Sequence, residues 1–480
     1  MSDAYYDVVV VGTELPGLIT AAMLAKKNYR VLVVGHGHSN NEFIHEGFRC
    51  IRRPWLFSGF ETSTPIKKVF AELALSLEMH NRPKPFDPFY QIVMPKARID
   101  VAAKESVFQR ELQREFPDDV DKIQHFYRVV REANTRLNTL LELDMVMPPE
   151  GYFETRNFRK ATEGLLDGLV DPLSAFPPGH PFRPFVLAPY LFATSCTVAP
   201  YSALQLIRSV HHLGRGLYRI EGGIDALKRI FLDKVKNNCG DYRDKSQVER
   251  FVMKRGKVKE LVIRDRREVI GCDVVICNTD IKRFFNLIPE EAQKQRFHLK
   301  VLELQPTHWL YTVNFALRSE AIPTGMGEHA FVVGDPDGPM EGDNLLLCCV
   351  DPAGEQPEKG TTVLSVTARL PARTVRPTLE NIDLHNQRIA HRLQTLFPFF
   401  NEHLLSAASA WVGTEKRGRN QFVDTTQFVP VYGQPLEDTF DLTAIASRTA
   451  YKNVLIAGDH LDSGLGFEGA FLGSLHATTL

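Results

Sequence analysis

The stretch Val8–Ala25, VVVVGTELPGLITAAMLA, constrains this chain more than any other. Four consecutive valines closed by Gly12 suit a strand buried on both faces of a parallel sheet. Gly12 and Gly17, an apolar run after them and a second β-branched run predict strand, tight turn, helix and strand. The expected spans are Tyr6–Val11, about Leu18–Asn28 and Val31–Val34. Such a unit closes with a right-handed crossover and opens an α/β protein.

In a turn that cradles a dinucleotide, the first glycine makes the bend and the second lets backbone approach the pyrophosphate. The third lets helix and strand pack closely. Gly12 and Gly17 suit the first and third roles, but Glu14 stands at the second. A carboxylate about 4 Å from a phosphate costs roughly 4 kcal/mol at an effective dielectric near 20. That is about a thousandfold in affinity. Alternatively Glu14 replaces the anion and caps the helix itself. A second departure follows: the acid expected near the end of the second strand, which would hold ribose hydroxyls, is absent. The chain reads Gly35–His36 there, with Asn40 and Asn41 beyond.

Further along, Thr64–Pro65 can start a helix, FYQIVMPKARIDV reads as a hairpin, and Lys104–Leu143 as a helical block split near Pro117. Residues 145–200, rich in proline and aromatics, read as irregular chain. Gly222–Gly223 precede an amphipathic helix, and short strands follow up to the buried run Val274–Cys277. Antiparallel strands are expected over Leu302–Arg369, a helix over Thr378–Leu396, and a strand, glycine turn and helix at the close.

The net charge of −1 points to no nucleic-acid partner, and seven irregularly spaced cysteines suit a reducing cytoplasm. The most apolar span, Phe182–Pro200, is broken by prolines and an arginine and predicts buried core, not a membrane-crossing helix; it is also compatible with contact at a bilayer surface. His211–His212 predict a surface or capping role, Cys348–Cys349 core packing, and Asp118, Asp119 and Asp121 a helix start. No metal site and no hydrolase or ATPase motif is expected.

The opening unit, the middle block EGGIDAL…CDVVICNTD and the closing AGDH…GLGFEGA together resemble the flavin-dependent amine oxidase and phytoene desaturase superfamily. The closing block is most similar to the phytoene desaturase branch. The resemblance implies an α/β fold with a discontinuous Rossmann-like FAD/NAD(P)-binding domain and an inserted mixed α+β substrate domain. The expected spans are 1–80, 215–285 and 440–480 for the first, and 81–214 and 286–439 for the second. It implies FAD as cofactor and an apolar, isoprenoid or carotenoid-like small-molecule substrate. The implied cofactor contacts are Gly12, Glu14 and Gly17 at the first turn, Gly222–Gly223 before a helix, and Val248 beside the adenine. Gly458 and Asp459 lie along the ribityl–pyrophosphate portion, and Gly466, Phe467, Glu468, Gly469 and Ala470 at the flavin's pyrimidine edge. No catalytic side chain is singled out. The damaged first turn leaves a second reading open, in which a binding or carrier protein keeps the fold without the flavin. Rab GDP-dissociation inhibitors, which resemble the same superfamily and bind a prenylated partner, set that precedent.

Overall fold

The computed structural model describes all 480 residues except 1–3, 38–39, 144, 146, 150, 166, 195, 197–200, 265–267, 415–419, 434–446, 459–462 and 480. Two large sheets organise it. The first contains β1 (Ala4–Val11), β2 (Val31–Val34), β5 (Asp241–Arg243), β6 (Val248–Lys254), β7 (Lys257–Ile263), β8 (Val269–Cys277) and β15 (Val454–Ile456). Strands β5, β2, β1 and β8 run parallel in that order, and β15 lies parallel to the last three residues of β8, Val275–Cys277. An antiparallel extension, β8–β7–β6, completes the sheet. The second sheet has the order β13–β9–β12–β11–β10–β3–β4, and β14 pairs with β9. Its strands are β3 (Tyr90–Met94), β4 (Ala97–Val101), β9 (Pro306–Arg318), β10 (His329–Val333), β11 (Gly342–Val350), β12 (Thr361–Pro371), β13 (Leu404–Ala408) and β14 (Val429–Tyr432). All its pairings are antiparallel except β10 with β3.

The valine run has a direct cause. Successive side chains of a strand point to opposite faces. Val8 and Val10 enter one core with helices α1 (Leu15–Lys26), α8 (Gly223–Asn237) and α10 (Phe467–Ala477). Val9 and Val11 enter another with Phe251, Phe284 and Phe285. All four are at most 1% exposed, so no position in the run tolerates a polar residue. Each contributes on the order of 1.5–3 kcal/mol by burial.

Helix α1 begins three residues before the expected Leu18, because Glu14 already has extended backbone and serves as its N-cap residue. In α2 (Thr64–Glu72) the cap is Ser63 rather than Thr64: its hydroxyl accepts from the Ile66 amide at 3.2 Å. The helical block divides as expected into α3 (Glu105–Glu115) and α4 (Val120–Glu142). The stretch 145–200 departs from expectation by containing two helices, α5 (Gly151–Thr162) and α6 (Phe182–Ala193). In α6, Pro184 falls in the first turn, where a missing amide costs nothing, and Pro189 is tolerated inside a helix packed in an aromatic core. Phe182 there lies 4.5 Å from Phe176 and 5.2 Å from Phe126, ring centre to ring centre. Helices α7 (Ala203–Leu213) and α9 (Leu379–Gln394) complete the larger elements. Among the described residues no helix is long and apolar enough to cross a membrane, and no group of three or more His, Cys, Asp or Glu side chains is placed to hold a metal.

Two histidines are folded into this interior in the neutral form. Burial pushes His329 and His476 each down to about 4. As pH falls below the ordinary value near 6.5 the unfolded chain takes up protons that the folded chain does not, so stability is lost from there down to about pH 4. The melting temperature is expected to fall steadily between about pH 6.5 and about pH 4; a flat profile across that window would contradict the burial of these rings.

Candidate functional site

A cleft of about 570 Å³ opens where four parallel strands end. Its floor is the chain directly after them: Gly12–Glu14 after β1, Gly35–Gly37 after β2, Asn278–Asp280 after β8, and Gly458 just beyond β15. From β1 the chain passes to β2 on one side, while β8 lies on the other. In open α/β sheets this is the position where ligands bind. The facing wall comes from the second sheet and its approaches, with Trp309, Leu310 and Phe428 exposed to the cleft.

The glycine turn is shaped by Asn278, a residue that sequence reasoning did not single out. Gly12 has φ +115°, and a Cβ there would lie 1.9 Å from the Asn278 carbonyl oxygen. The buried Asn278 side chain accepts from the Gly17 amide at 3.0 Å and donates to the Glu14 carbonyl at 2.8 Å. A Cβ on Gly17 would come within 2.1 Å of that side chain. The available signal was an amide residue closing the buried run Val274–Cys277.

Glu14 does not cap α1 with its side chain. Its carboxylate turns instead to Lys228 of α8 at 3.1 Å and to Arg53 at 3.4 Å. Arg53 lies 4.2 Å over the Trp55 ring and is clasped at its backbone by Asn41, whose side chain accepts from the Arg53 amide and donates to its carbonyl. Arg52 donates to the Asn40 carbonyl at 2.7 Å. The two asparagines therefore position a pair of arginines twelve residues further on, which the sequence reading missed.

The absent ribose acid also has a structural cause. A Cβ at Gly35 would fall 1.8 Å from the Asp244 carbonyl oxygen, so no side chain can occupy that position. The next residue, His36, accepts from the Val248 amide through Nδ1 at 3.1 Å. Burial first, then Arg264 and Arg283, push its pKa down. It is a neutral ring with its proton on Nε2. Arg52, Arg53, Lys228, Lys282 and Arg283 line the cleft against the carboxylates of Glu14 and Asp280, five cations to two anions. The cleft can draw in and hold a polyanion.

Of the expected contacts, the fold brings Gly12, Glu14 and Gly458 together at the cleft and ties Val248 to it through His36. Gly17 lies behind the turn against Asn278. Gly222 and Gly223 take left-handed backbone, φ +73° and +57°, and launch α8, whose first turns deliver Ile224 and Lys228 to the cleft. Asp459 lies outside the described residues. The start of α10 is engaged with protein. A Cβ on Gly466 would lie 2.3 Å from the Ala193 carbonyl oxygen, and Phe467 packs 5.3 Å from Phe57. Gly469 and Ala470 are buried in the first turn.

Glu468 is 1% exposed and makes a two-pronged ion pair with the fully buried Arg208, 2.6 Å at each oxygen. His212 reaches Glu468 at 3.0 Å through Nε2 and Thr62 at 2.5 Å through Nδ1. Arg208 also donates to Asn134 and Asn138 at 2.6 and 2.7 Å. Burial pushes the Glu468 carboxyl up, but Arg208 and then His212 outweigh it and hold it well below the usual range. His212 is thus a buried network member, contrary to the surface role expected for it, while His211 beside it is partly exposed. The α7 hydrophobic spacing, with Leu206, Ile207 and Leu213 buried around it, carried the missing signal.

No family model matches the sequence. Among curated proteins, prolycopene isomerase 2, chloroplastic, of an Oncidium hybrid cultivar is 24% identical over 353 residues, covering 70% of this chain and 59% of that protein. The chloroplastic prolycopene isomerase of Daucus carota is 22% identical over 347 residues, 69% of this chain and 55% of that one. The chain thus spans less than two thirds of the length of these relatives. Among solved structures, an oxidoreductase from Methanosarcina mazei superposes with a TM-score of 0.61 at 16% identity, over 99% of this chain and all of that one. Putrescine oxidase bound to putrescine gives 0.56 at 14% identity, over 99% and 98% of the two chains. Rab GDI from Plasmodium falciparum gives 0.55 at 13%, over 100% and 98%.

Proposed function

We propose that this chain, which has the fold of the flavin-dependent amine oxidase and phytoene desaturase superfamily, holds FAD in the cleft and works as an oxidoreductase or isomerase on an apolar substrate. The observation that carries this is the convergence of a glycine turn and five cations at the ends of four parallel strands. The fit turns on Glu14. Its carboxylate holds the two cations, Lys228 and Arg53, that a pyrophosphate at the turn would need. With Glu14 swung aside, both can bind phosphate oxygens, and Arg52 stands next to them. On the adenosine side, His36 offers an Nε2–H to a ribose oxygen in place of the usual acid. When bound, the flavin supplies a reversible hydride acceptor. Trp309, Leu310 and Phe428 supply an apolar wall that excludes water from the opposite side of the cleft. The likeness to prolycopene isomerases supports a polyene or other isoprenoid as the substrate class. In this reading the segments of the first sheet form the dinucleotide-binding domain and the second sheet belongs to the substrate domain.

The visible spectrum of the purified protein tests the cofactor directly. Flavin absorbance, present on isolation or gained after adding FAD, is the expected result; a protein that stays colourless with excess FAD overturns the proposal. Glu14→Gly should tighten FAD binding about tenfold or more, since it removes one negative charge from the turn and its ion pairs with Lys228 and Arg53. Equal affinity in a fluorescence titration would mean that the carboxylate already lies clear of the phosphates.

The Glu14 ion pairs also favour a second reading. A turn whose cations are already neutralised, beside a strand end that admits no side chain at Gly35, suits a carrier that has given up the flavin. A colourless protein that retains an apolar ligand through purification supports that reading.

A further inference from the structure

Helix α5 (Gly151–Thr162) differs from the other long helices in having no buried residue. At 100° per residue its side chains divide into two sides. Thr155, Phe158 and Thr162 fall on the half-buried side, where Phe158 packs against the aromatic core. The other side carries Tyr152, Phe153, Arg156, Arg159 and Lys160, all exposed. Tyr152 and Phe153 are 73% and 75% exposed, and their rings meet edge to face at 5.5 Å. The three cations have no ion-pair partner among the described residues. Glu154, the acid within the helix, is turned to Arg448 at 2.6 Å. Among the described residues Glu163, just past the last turn, is the only acid on that side, so the face they form is net positive in a chain whose overall charge is −1.

We infer that α5 is a docking element for an anionic bilayer surface. Two large aromatics at the tip of a helix, followed by cations on the same side, match what an interface demands: rings that enter the headgroup layer and basic groups that meet lipid phosphates. The face is the outer side of a helix rather than a groove, which suits a planar layer. The inference stands on α5 alone and is independent of what the cleft binds.

Co-sedimentation of the full chain with vesicles tests it. Binding to phosphatidylcholine vesicles containing phosphatidylglycerol is expected, at least tenfold stronger than to phosphatidylcholine alone. The double variant Tyr152→Ser/Phe153→Ser and the triple variant Arg156→Gln/Arg159→Gln/Lys160→Gln should each lose that binding with an unchanged melting temperature, since the altered side chains are exposed. Failure of the unaltered protein to bind anionic vesicles overturns the inference. So does undiminished binding by both variants. Self-association that the double variant abolishes, with no vesicle binding, overturns it in favour of a second copy of the chain as the partner.

Discussion

Arg208→Met should lower the free energy of unfolding by about 3–5 kcal/mol, the largest effect expected of any single exchange here. Methionine restores much of the volume, so the loss is electrostatic. Glu468 would remain 1% exposed with only His212 beside it in place of the two-pronged guanidinium, and Asn134 would lose its charged donor. An isolated buried carboxylate is far costlier than one in a satisfied pair. The control is the double variant Arg208→Met/Glu468→Met. Removing both charges takes away the uncompensated one, so the double variant should be more stable than Arg208→Met alone. Denaturant midpoints read both. A loss under about 1 kcal/mol for the single variant would mean that water reaches Glu468, and the pair would then be an ordinary surface one.

Gly12→Ala should be nearly as severe, and for a different reason. At φ +115° an alanine bears backbone strain of about 1–3 kcal/mol. Its Cβ would also lie 1.9 Å from the Asn278 carbonyl oxygen, a backbone atom of β8's continuation that cannot move without disturbing the sheet. Gly37→Ala separates the two contributions. Its φ is +85°, but the nearest atom to its new Cβ is the Gln247 side-chain nitrogen at 3.9 Å. Strain alone should therefore cost Gly37→Ala about 1–3 kcal/mol, with Gly12→Ala clearly beyond it. Equal losses in the two variants would show that the turn at Gly12 can relax, and the tight fit to Asn278 would not be what the glycine is for.

The sequence disclosed what depends on short-range order. The alternating burial of Val8–Val11, the hairpin of β3 and β4, and the break between α3 and α4 follow from patterns a few residues long. The cleft was legible only as a set of glycines. Its chemistry comes from partners that are remote in the chain: Glu14 meets Lys228 214 residues away, and Glu468 meets Arg208 260 residues away. No local pattern encodes such pairings. The helix α6 was hidden for a local reason, since prolines mark irregular chain by default; burial in an aromatic core overrode that preference. The sequence marks Glu14 as a carboxylate where a phosphate turn expects glycine, but it could not say that Lys228 and Arg53 pair with it.

The Asn278 clamp bears on how the protein is made. Gly17 is bound by a side chain 261 positions downstream, and Pro16 accepts from Ser474, 458 positions downstream. During synthesis the amino-terminal βαβ unit leaves the ribosome long before either partner exists. It must wait with its apolar strands unprotected, a condition that favours chaperone capture and slow, late closure. Chains cut short before α10 should consequently collect as aggregates, even though they contain the whole first turn.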